Sequence, residues 1–219
     1  MEVKVVKRIL ANTEVVADAI KKELAARGNV AINIMGTPGA GKTTLLERTF
    51  LHFRRRFPMA VIEGDIATTK DAHRLKKLGL DVVQINTDRW GGSCHLDANM
   101  VQPAVRKLAS IKNGIVFVEN VGNLVCPAAF DVGETYKVVV TSVAEGDDKP
   151  SKYPIMFRTP QMIVLNKIDM IRMTDFNMAR FKRDVKAVNP DAKLALLSAR
   201  SGKGLEMWFR WVEGCLVSK

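Results

Sequence analysis

Cysteine is scarce: Cys94, Cys126 and Cys215 are the three in 219 residues. Few, odd in number and far apart, they do not resemble the paired framework of a small disulfide-stapled secreted fold. Long apolar runs are missing as well, because Lys, Arg, Asp or Glu interrupts every candidate before the ~20 residues that a membrane helix needs. The opening Met1-Glu2-Val3-Lys4-Val5-Val6-Lys7-Arg8 has no apolar core or small-residue cleavage site. No secretory leader is therefore expected, and the chain reads as cytoplasmic, with no membrane partner. Aromatics are thin, at nine Phe, three Trp and two Tyr, and none interleaves with Arg54-Arg55-Arg56 or Lys76-Lys77 as a base-stacking platform would. The formal charge of +11 is then a matter of solvated helix faces and of attraction for polyphosphate and acidic partners, and nucleic acid is disfavoured. Repeats, low-complexity tracts and linkers are absent too. Residues 1–219 are expected to form one domain, long enough to bury a core without staples.

What is present is an alternation of strand-like and helix-like segments, the pattern of a mostly parallel sheet with helices on both faces. An amphipathic helix is expected over 4–27, with Val6, Ile9, Leu10, Val15, Val16, Ala19, Ile20 and Leu24 as its apolar stripe. Strands are expected at 30–35, 59–63, 81–86, 115–118, 137–141, 162–165 and 193–197. Helices are expected at 42–54, 70–78, 96–111, 174–188 and 203–214, with Pro103 kinking its helix or sitting in the first turn.

Gly36-Thr37-Pro38-Gly39-Ala40-Gly41-Lys42-Thr43 matches G-x-x-x-x-G-K-[ST] after a strand and before a helix, followed by Thr44. Its glycines let successive N–H groups wrap a phosphate at a helix N-terminus. Lys42 would reach the β- and γ-phosphates, and Thr43 would offer its hydroxyl to magnesium. The fold class follows: an α/β P-loop NTPase domain. Magnesium wants oxygen ligands and keeps water. Asp65 and Glu119, at strand ends on the ligand side of such a sheet, are candidates for direct or water-mediated contact. Glu119-Asn120-Val121-Gly122 is similar to an E/D-x-x-G switch, whose Gly122 N–H would meet the γ-phosphate. Lys42, Thr43, Asp65 and Glu119 are thus the candidate catalytic group.

Asn166-Lys167-Ile168-Asp169 resembles the base-reading N-K-x-D motif of GTPases. A carboxylate at Asp169 can accept from guanine N1–H and from the 2-amino group together, whereas adenine has neither donor and would leave it unpaired. Lys167 would lie over the base. Ser198-Ala199-Arg200 resembles the S-A-K motif, with Arg in place of Lys, a change of side chain and not of the backbone contact to the guanine carbonyl. GTP and GDP are therefore the expected ligands.

Cys94-His95 and Cys126 are expected at the same sheet edge as the nucleotide. Two thiolates and an imidazole suit Ni²⁺ or Zn²⁺ and not Mg²⁺. Three protein ligands leave the ion open to exchange or to a ligand from a second subunit. Cys215 stands alone in the last helix and is read as structural.

Taken together with Glu63-Gly64-Asp65, Cys94-His95-Leu96-Asp97-Ala98, Glu119-Asn120-Val121-Gly122-Asn123-Leu124-Val125-Cys126-Pro127 and Glu145-Gly146-Asp147-Asp148-Lys149-Pro150, these motifs resemble the hydrogenase nickel-incorporation GTPases, the HypB family of SIMIBI-type P-loop GTPases. The resemblance runs over nearly the whole chain. It implies a GTPase accessory factor that assists nickel insertion into [NiFe] hydrogenase; hydrolysis is expected to be slow and regulatory, because the sequence marks no arginine finger or water-orienting residue. It also implies a nucleotide-dependent homodimer, with other maturation proteins and the hydrogenase large subunit as partners. Carried over by position, Cys94, His95 and Cys126 are the metal site at the dimer interface; apart from that carry-over, Asp148 and Lys149 are candidates for cross-subunit contacts. Some members carry an N-terminal cysteine motif or a histidine-rich tract; this sequence has neither, with three histidines in all, so the internal site is expected to be the specific one. The implied mechanism is that GTP and magnesium draw Glu119–Gly122 toward the γ-phosphate and reposition Cys126. The rivals are a urease accessory GTPase, a P-loop small-molecule kinase and an RNA-binding GTPase. The C-H-L-D-A and N-L-V-C-P strings argue against the first, and N-K-x-D against the second.

Overall fold

The computed structural model describes residues 2–217, with side chains throughout that span except those of 2–12, 89 and 90. Seven parallel strands form one sheet in the order β3-β2-β4-β1-β5-β6-β7. They are β1 Val30–Met35, β2 Met59–Asp65, β3 Asp81–Asn86, β4 Ile115–Glu119, β5 Tyr136–Ser142, β6 Met162–Asn166 and β7 Lys193–Leu196. The central strands are buried on both faces, as a parallel sheet covered by helices requires, while the edge strands β3 and β7 are partly exposed. All six residues of β1 are buried.

Period-two alternation divides the core. Val30, Ile32 and Ile34 of β1 point with Val61, Phe117, Val138 and Val164 toward α2 (Lys42–Phe53), α3 (Lys70–Lys77) and α8 (Leu205–Val217). Ala31, Ile62, Val116 and Val118 point the other way, toward α1 (Glu2–Ala26) and α4 (Ala98–Lys107). Met35, Val139, Ile163 and Leu165 meet the short α6 (Pro154–Arg158) and α7 (Met178–Val188), and α5 (Lys149–Lys152) precedes them. The chain passes from β4 on one side of β1 to β5 on the other, and this reversal opens the crevice at the carboxyl ends where α/β sheets take ligands.

The N-terminal helix corrects one expectation. Thr13, Ala17, Ile20 and Leu24 are buried, whereas Val15 and Ala19 are exposed, Val15 at 69%. At 100° per residue, 13, 17, 20 and 24 share one face, and 15 and 19 lie on the far side. Val6, Ile9 and Leu10 lie outside the described side chains. The α4 expectation shifts as well: the helix begins at Ala98, because Asp97 caps it by accepting from the Met100 N–H at 3.0 Å, and ends at Lys107. Pro103 sits in its interior, past the first turn. Helix 174–188 begins instead at Met178, capped by Asn177, after a 3₁₀ helix at Ile168–Met173.

Candidate nucleotide and metal site

The P-loop leaves β1 at Gly36 and enters α2 at Lys42. Lys42 is buried, and its ammonium donates to the carbonyls of Gly36 at 3.1 Å and Thr37 at 3.2 Å. Burial lowers its pKa, against the opposing field of Glu119 and Glu145. The Thr37 hydroxyl donates to Glu145 Oε2 at 2.6 Å, and Ser142 donates to Glu145 Oε1 at 2.8 Å, so the first residue of the E-G-D-D-K-P string holds the loop tip. Of the same string, Asp148 pairs with Lys152, and the Lys149 ammonium lies over the Tyr153 ring at 5.8 Å.

Beside the loop, the Thr43 hydroxyl donates to Glu119 Oε1 at 2.8 Å. Glu119 is 4% exposed, and its Oε2 is buried without a hydrogen-bond partner. Burial pushes its carboxyl up to about 7, against the pull of Lys42 and the Thr43 hydroxyl. Asp65 ends β2 and turns the chain: its Oδ1 accepts from the N–H groups of Ala67 at 2.9 Å and Thr68 at 2.7 Å.

A cleft of about 650 Å³ opens here. Gly39, Gly41, Lys42, Thr43, Thr44 and Glu119 line one end, and Asn166, Lys167, Asp169, Ala199 and Arg200 the other. Asn166 joins the three motifs. Its amide donates to the Ala40 carbonyl at 2.8 Å, and its Oδ1 accepts from the N–H groups of Lys167 at 2.8 Å and Ala199 at 2.9 Å. Lys167 takes a left-handed conformation, φ 61°, and Asp169 is left exposed at the rim. Arg48 of α2 donates to the carbonyls of Ala199 and Arg200, which fixes the Ser198-Ala199-Arg200 turn from below.

The sulfur cluster forms at the same edge. Cys94 Sγ and Cys126 Sγ lie 2.9 Å apart as free thiols, and a ligand atom of His95 joins them in a group lying within 4.8 Å of one another. Their proximity raises the Cys126 pKa, with burial adding to it, while burial lowers that of His95. The His95 ring stacks on Phe130 at 3.8 Å, with Nδ1 against the Ser93 hydroxyl at 3.1 Å. Leu96 anchors this loop: it is fully buried, its N–H donates to Asn120 Oδ1 at 3.0 Å, and its side chain lies where a β-carbon on Gly64 would come within 2.7 Å. Cys126 opens a 3₁₀ turn to Ala129.

Between the two centres runs Glu119–Cys126, and the P-loop grips it midway. Asn123 N–H donates to the Gly36 carbonyl at 3.1 Å in an isolated antiparallel bridge. Gly122 packs so tightly on Pro38 that an added β-carbon would stand 2.7 Å from the ring and from the Pro38 nitrogen.

Residues 30–195 match the family described as CobW/HypB/UreG, nucleotide-binding domain. The hydrogenase maturation factor HypB of Escherichia coli strain K12 is 45% identical over 197 residues, which is 90% of this chain and 67% of that protein. The chain belongs to the HypB family. The crystal structure of HypB from Archaeoglobus fulgidus aligns with a TM-score of 0.88 at 37% identity, covering 94% of this chain and 100% of that one. The structure described as HypB from Helicobacter pylori in complex with nickel aligns with a TM-score of 0.88 at 35% identity, covering 94% and 96%.

Within this HypB fold, two charged residues near the phosphate end escape motif reading. Asp71 and Arg74 of α3 line the cleft. Arg74 bridges Asp71 at 2.8 Å and Glu47 at 2.9 Å and reaches the Thr44 hydroxyl at 3.3 Å. Glu63, of the Glu63-Gly64-Asp65 string, lies beside Glu119, and burial, then the like charge of Glu119, pushes its carboxyl up to about 8. The i, i+3 spacing of Asp71 and Arg74 marks a helix-surface pair, but nothing in the sequence says that the pair faces the P-loop.

Proposed function

We propose that the chain is a GTP-hydrolysing metallochaperone of the HypB type. It takes nickel, or zinc, as cargo on Cys94, His95 and Cys126, and it assists nickel insertion into [NiFe] hydrogenase. GTP-dependent dimerisation, with the Cys/His group completed across two copies, is the switch. The single observation carrying this reading is the convergence of two thiols and an imidazole on a segment that the P-loop itself holds. Three soft donors fit a borderline cation and leave one or more positions for a donor, an acceptor or the second copy.

The phosphate end fits a magnesium–GTP complex. The Thr43 hydroxyl and the buried, unpartnered Oε2 of Glu119 offer a hard cation its oxygens, and Asp65 stands one strand further out. Magnesium would neutralise the β- and γ-phosphate oxygens. Lys42 would leave the Gly36 and Thr37 carbonyls for the phosphates, and the backbone of Gly36–Thr44 would wrap them. Lys167 and Asp169 would hold the guanine, with Ser198-Ala199-Arg200 at its carbonyl. A γ-phosphate that draws in Gly122 would displace a segment ending at Cys126, so nucleotide state would reach the sulfur cluster through covalent chain.

The relative named as a nickel complex supports nickel as cargo, and the hydrogenase maturation relatives support partners among the other maturation proteins and the hydrogenase large subunit. The deciding experiment is metal titration of wild type, Cys94→Ala and Cys126→Ala, each with GDP and with a non-hydrolysable GTP analogue, alongside sizing by light scattering. Metal affinity and dimerisation should both depend on the nucleotide, and metal should change nucleotide affinity by the same factor. Identical metal affinity and identical mass in both nucleotide states would refute the switch.

A further inference from the structure

Glu63 stands on β2, opposite Glu119 of β4 in the parallel register, so the two side chains leave the same face of the sheet. It is 2% exposed, its Oε2 is buried, and no hydrogen bond satisfies that oxygen. Glu119 beside it carries an orphan Oε2 of its own. An isolated carboxylate under a sheet edge costs folding free energy, and native folds leave few such groups. Glu63 does not line the cleft, whereas Glu119 does. It therefore sits one strand further from the P-loop, beside the group that meets the ligand. Two neighbouring acids, each with a spare oxygen, beside the Thr43 hydroxyl, have the chemistry of a hard divalent cation that keeps part of its water.

We infer that Glu63 is a positioning residue of the cation site: its free oxygen accepts from water held in the cation's shell, beside Glu119. Outer partners of this kind fix the orientation of the inner oxygens and of the water they hold. Asp65, two residues on, is tied to the Ala67 and Thr68 N–H groups through Oδ1 and shapes the turn. The inference rests on the reading that the cleft takes magnesium with a guanine nucleotide.

The test is the affinity of full-length wild type and Glu63→Gln for a fluorescent GDP, measured across a magnesium titration and in EDTA. Half-saturating magnesium should rise by about tenfold or more in Glu63→Gln, while the affinity in EDTA stays within about twofold. The ligand-free variant should also melt higher than wild type, because a buried acid has been neutralised; a structural role would predict the opposite. Glu63→Asp, which keeps the charge but withdraws it by one methylene, should show a smaller rise, and it decides the matter if the glutamine variant does not fold. Unchanged half-saturating magnesium in the variants, or equal losses with magnesium and in EDTA, would overturn the inference. Wild type that shows no magnesium dependence would instead remove the reading of the cleft on which it rests.

Discussion

Gly36, the first residue of the P-loop, accepts a backbone hydrogen bond from Asn123, which stands three residues before Cys126. The two are partners in an isolated antiparallel bridge, and Gly122 packs against Pro38 beside it. A phosphate loop and a sulfur cluster are thus joined by one short piece of backbone, Asn123 to Cys126.

Gly122→Ala tests that junction. The new methyl would stand 2.7 Å from Pro38 backbone and ring atoms, a clash that only movement of one loop relieves. Overpacking of this kind costs about 1–3 kcal/mol. The variant should bind guanine nucleotide roughly tenfold or more weakly, in line with that cost. It should keep metal affinity in the nucleotide-free form and lose the difference between GDP and GTP-analogue states. Calorimetric titration of metal in each state is the check, and a wild-type nucleotide effect in the variant would break the proposed path.

Cys126→Ala and Cys94→Ala each remove one of three donors in the 4.8 Å group. Each should lower metal affinity by about a hundredfold or more, beyond the 10–100-fold that outer-partner changes cost. Since a thiol must deprotonate to bind and the neighbouring Cys94 raises the Cys126 pKa, binding should release protons and strengthen as pH rises. Competition against a chromophoric chelator at several pH values reads both effects, and Cys215→Ala, a buried thiol pushed up to about 12, should match wild type.

The sheet, the P-loop and the position of the Asn166–Asp169 loop after β6 were legible in sequence because each is local: an apolar run and a short pattern with fixed spacing. The pairing of Cys94 with Cys126 was foreseeable from strand order, since loops after β3 and β4 leave the same edge. What sequence did not show depends on burial. Val15 and Ala19 look apolar yet face solvent, because only the position of α4 decides which stripe of α1 is covered. Glu63 reads as the end of a strand and carries no role in sequence, and only the structure shows it buried in register with Glu119. Asn166 reads as a base contact, and its hydrogen bonds show it fastening the P-loop to the Ser198-Ala199-Arg200 turn.

Asp169 sits exposed at the rim of the cleft, so replacing it should leave the fold within about 0.5 kcal/mol of wild type. Asp169→Asn gives up an acceptor for guanine N1–H or its 2-amino group and gains an amide donor. GDP affinity should fall by about a hundredfold or more, as when a polar pocket meets the wrong pattern. Xanthosine diphosphate, with a 2-oxo acceptor, should gain. Competition between the two nucleotides measures it, and unchanged GDP preference would reassign the base site.

Arg74→Ala separates stability from binding at the other end of the cleft. Its ion pairs with Glu47 and Asp71 are about half exposed, and such pairs contribute about 0–1 kcal/mol, so the melting temperature should barely move. The guanidinium nevertheless lines the cleft and touches Thr44, next to the P-loop threonine. Nucleotide affinity should therefore fall by roughly tenfold, with a weaker dependence on salt than wild type shows. Arg74→Lys should recover part of the affinity through charge alone. Equal affinity in all three proteins would limit Arg74 to bracing α3 on α2.

The buried acids also predict how the ligand-free protein responds to pH. Glu63 and Glu119 are pushed from an ordinary 4.5 up to about 8 and about 7 by burial, so the fold favours their protonated forms. Their contribution is full below pH 4.5 and is lost as pH rises toward 8, since the folded chain must then ionise carboxyls that an unfolded chain ionises freely. Each unit of upward displacement corresponds to about 1.4 kcal/mol. His95 acts in the opposite sense: burial lowers its pKa, so its contribution is lost as pH falls through 6.5. Melting in EDTA between pH 5 and 8 should therefore show a decline in wild type that is shallower in Glu63→Gln, while the His95 contribution cancels between the two. Parallel curves for the two proteins would mean that Glu63 is not held protonated in the fold.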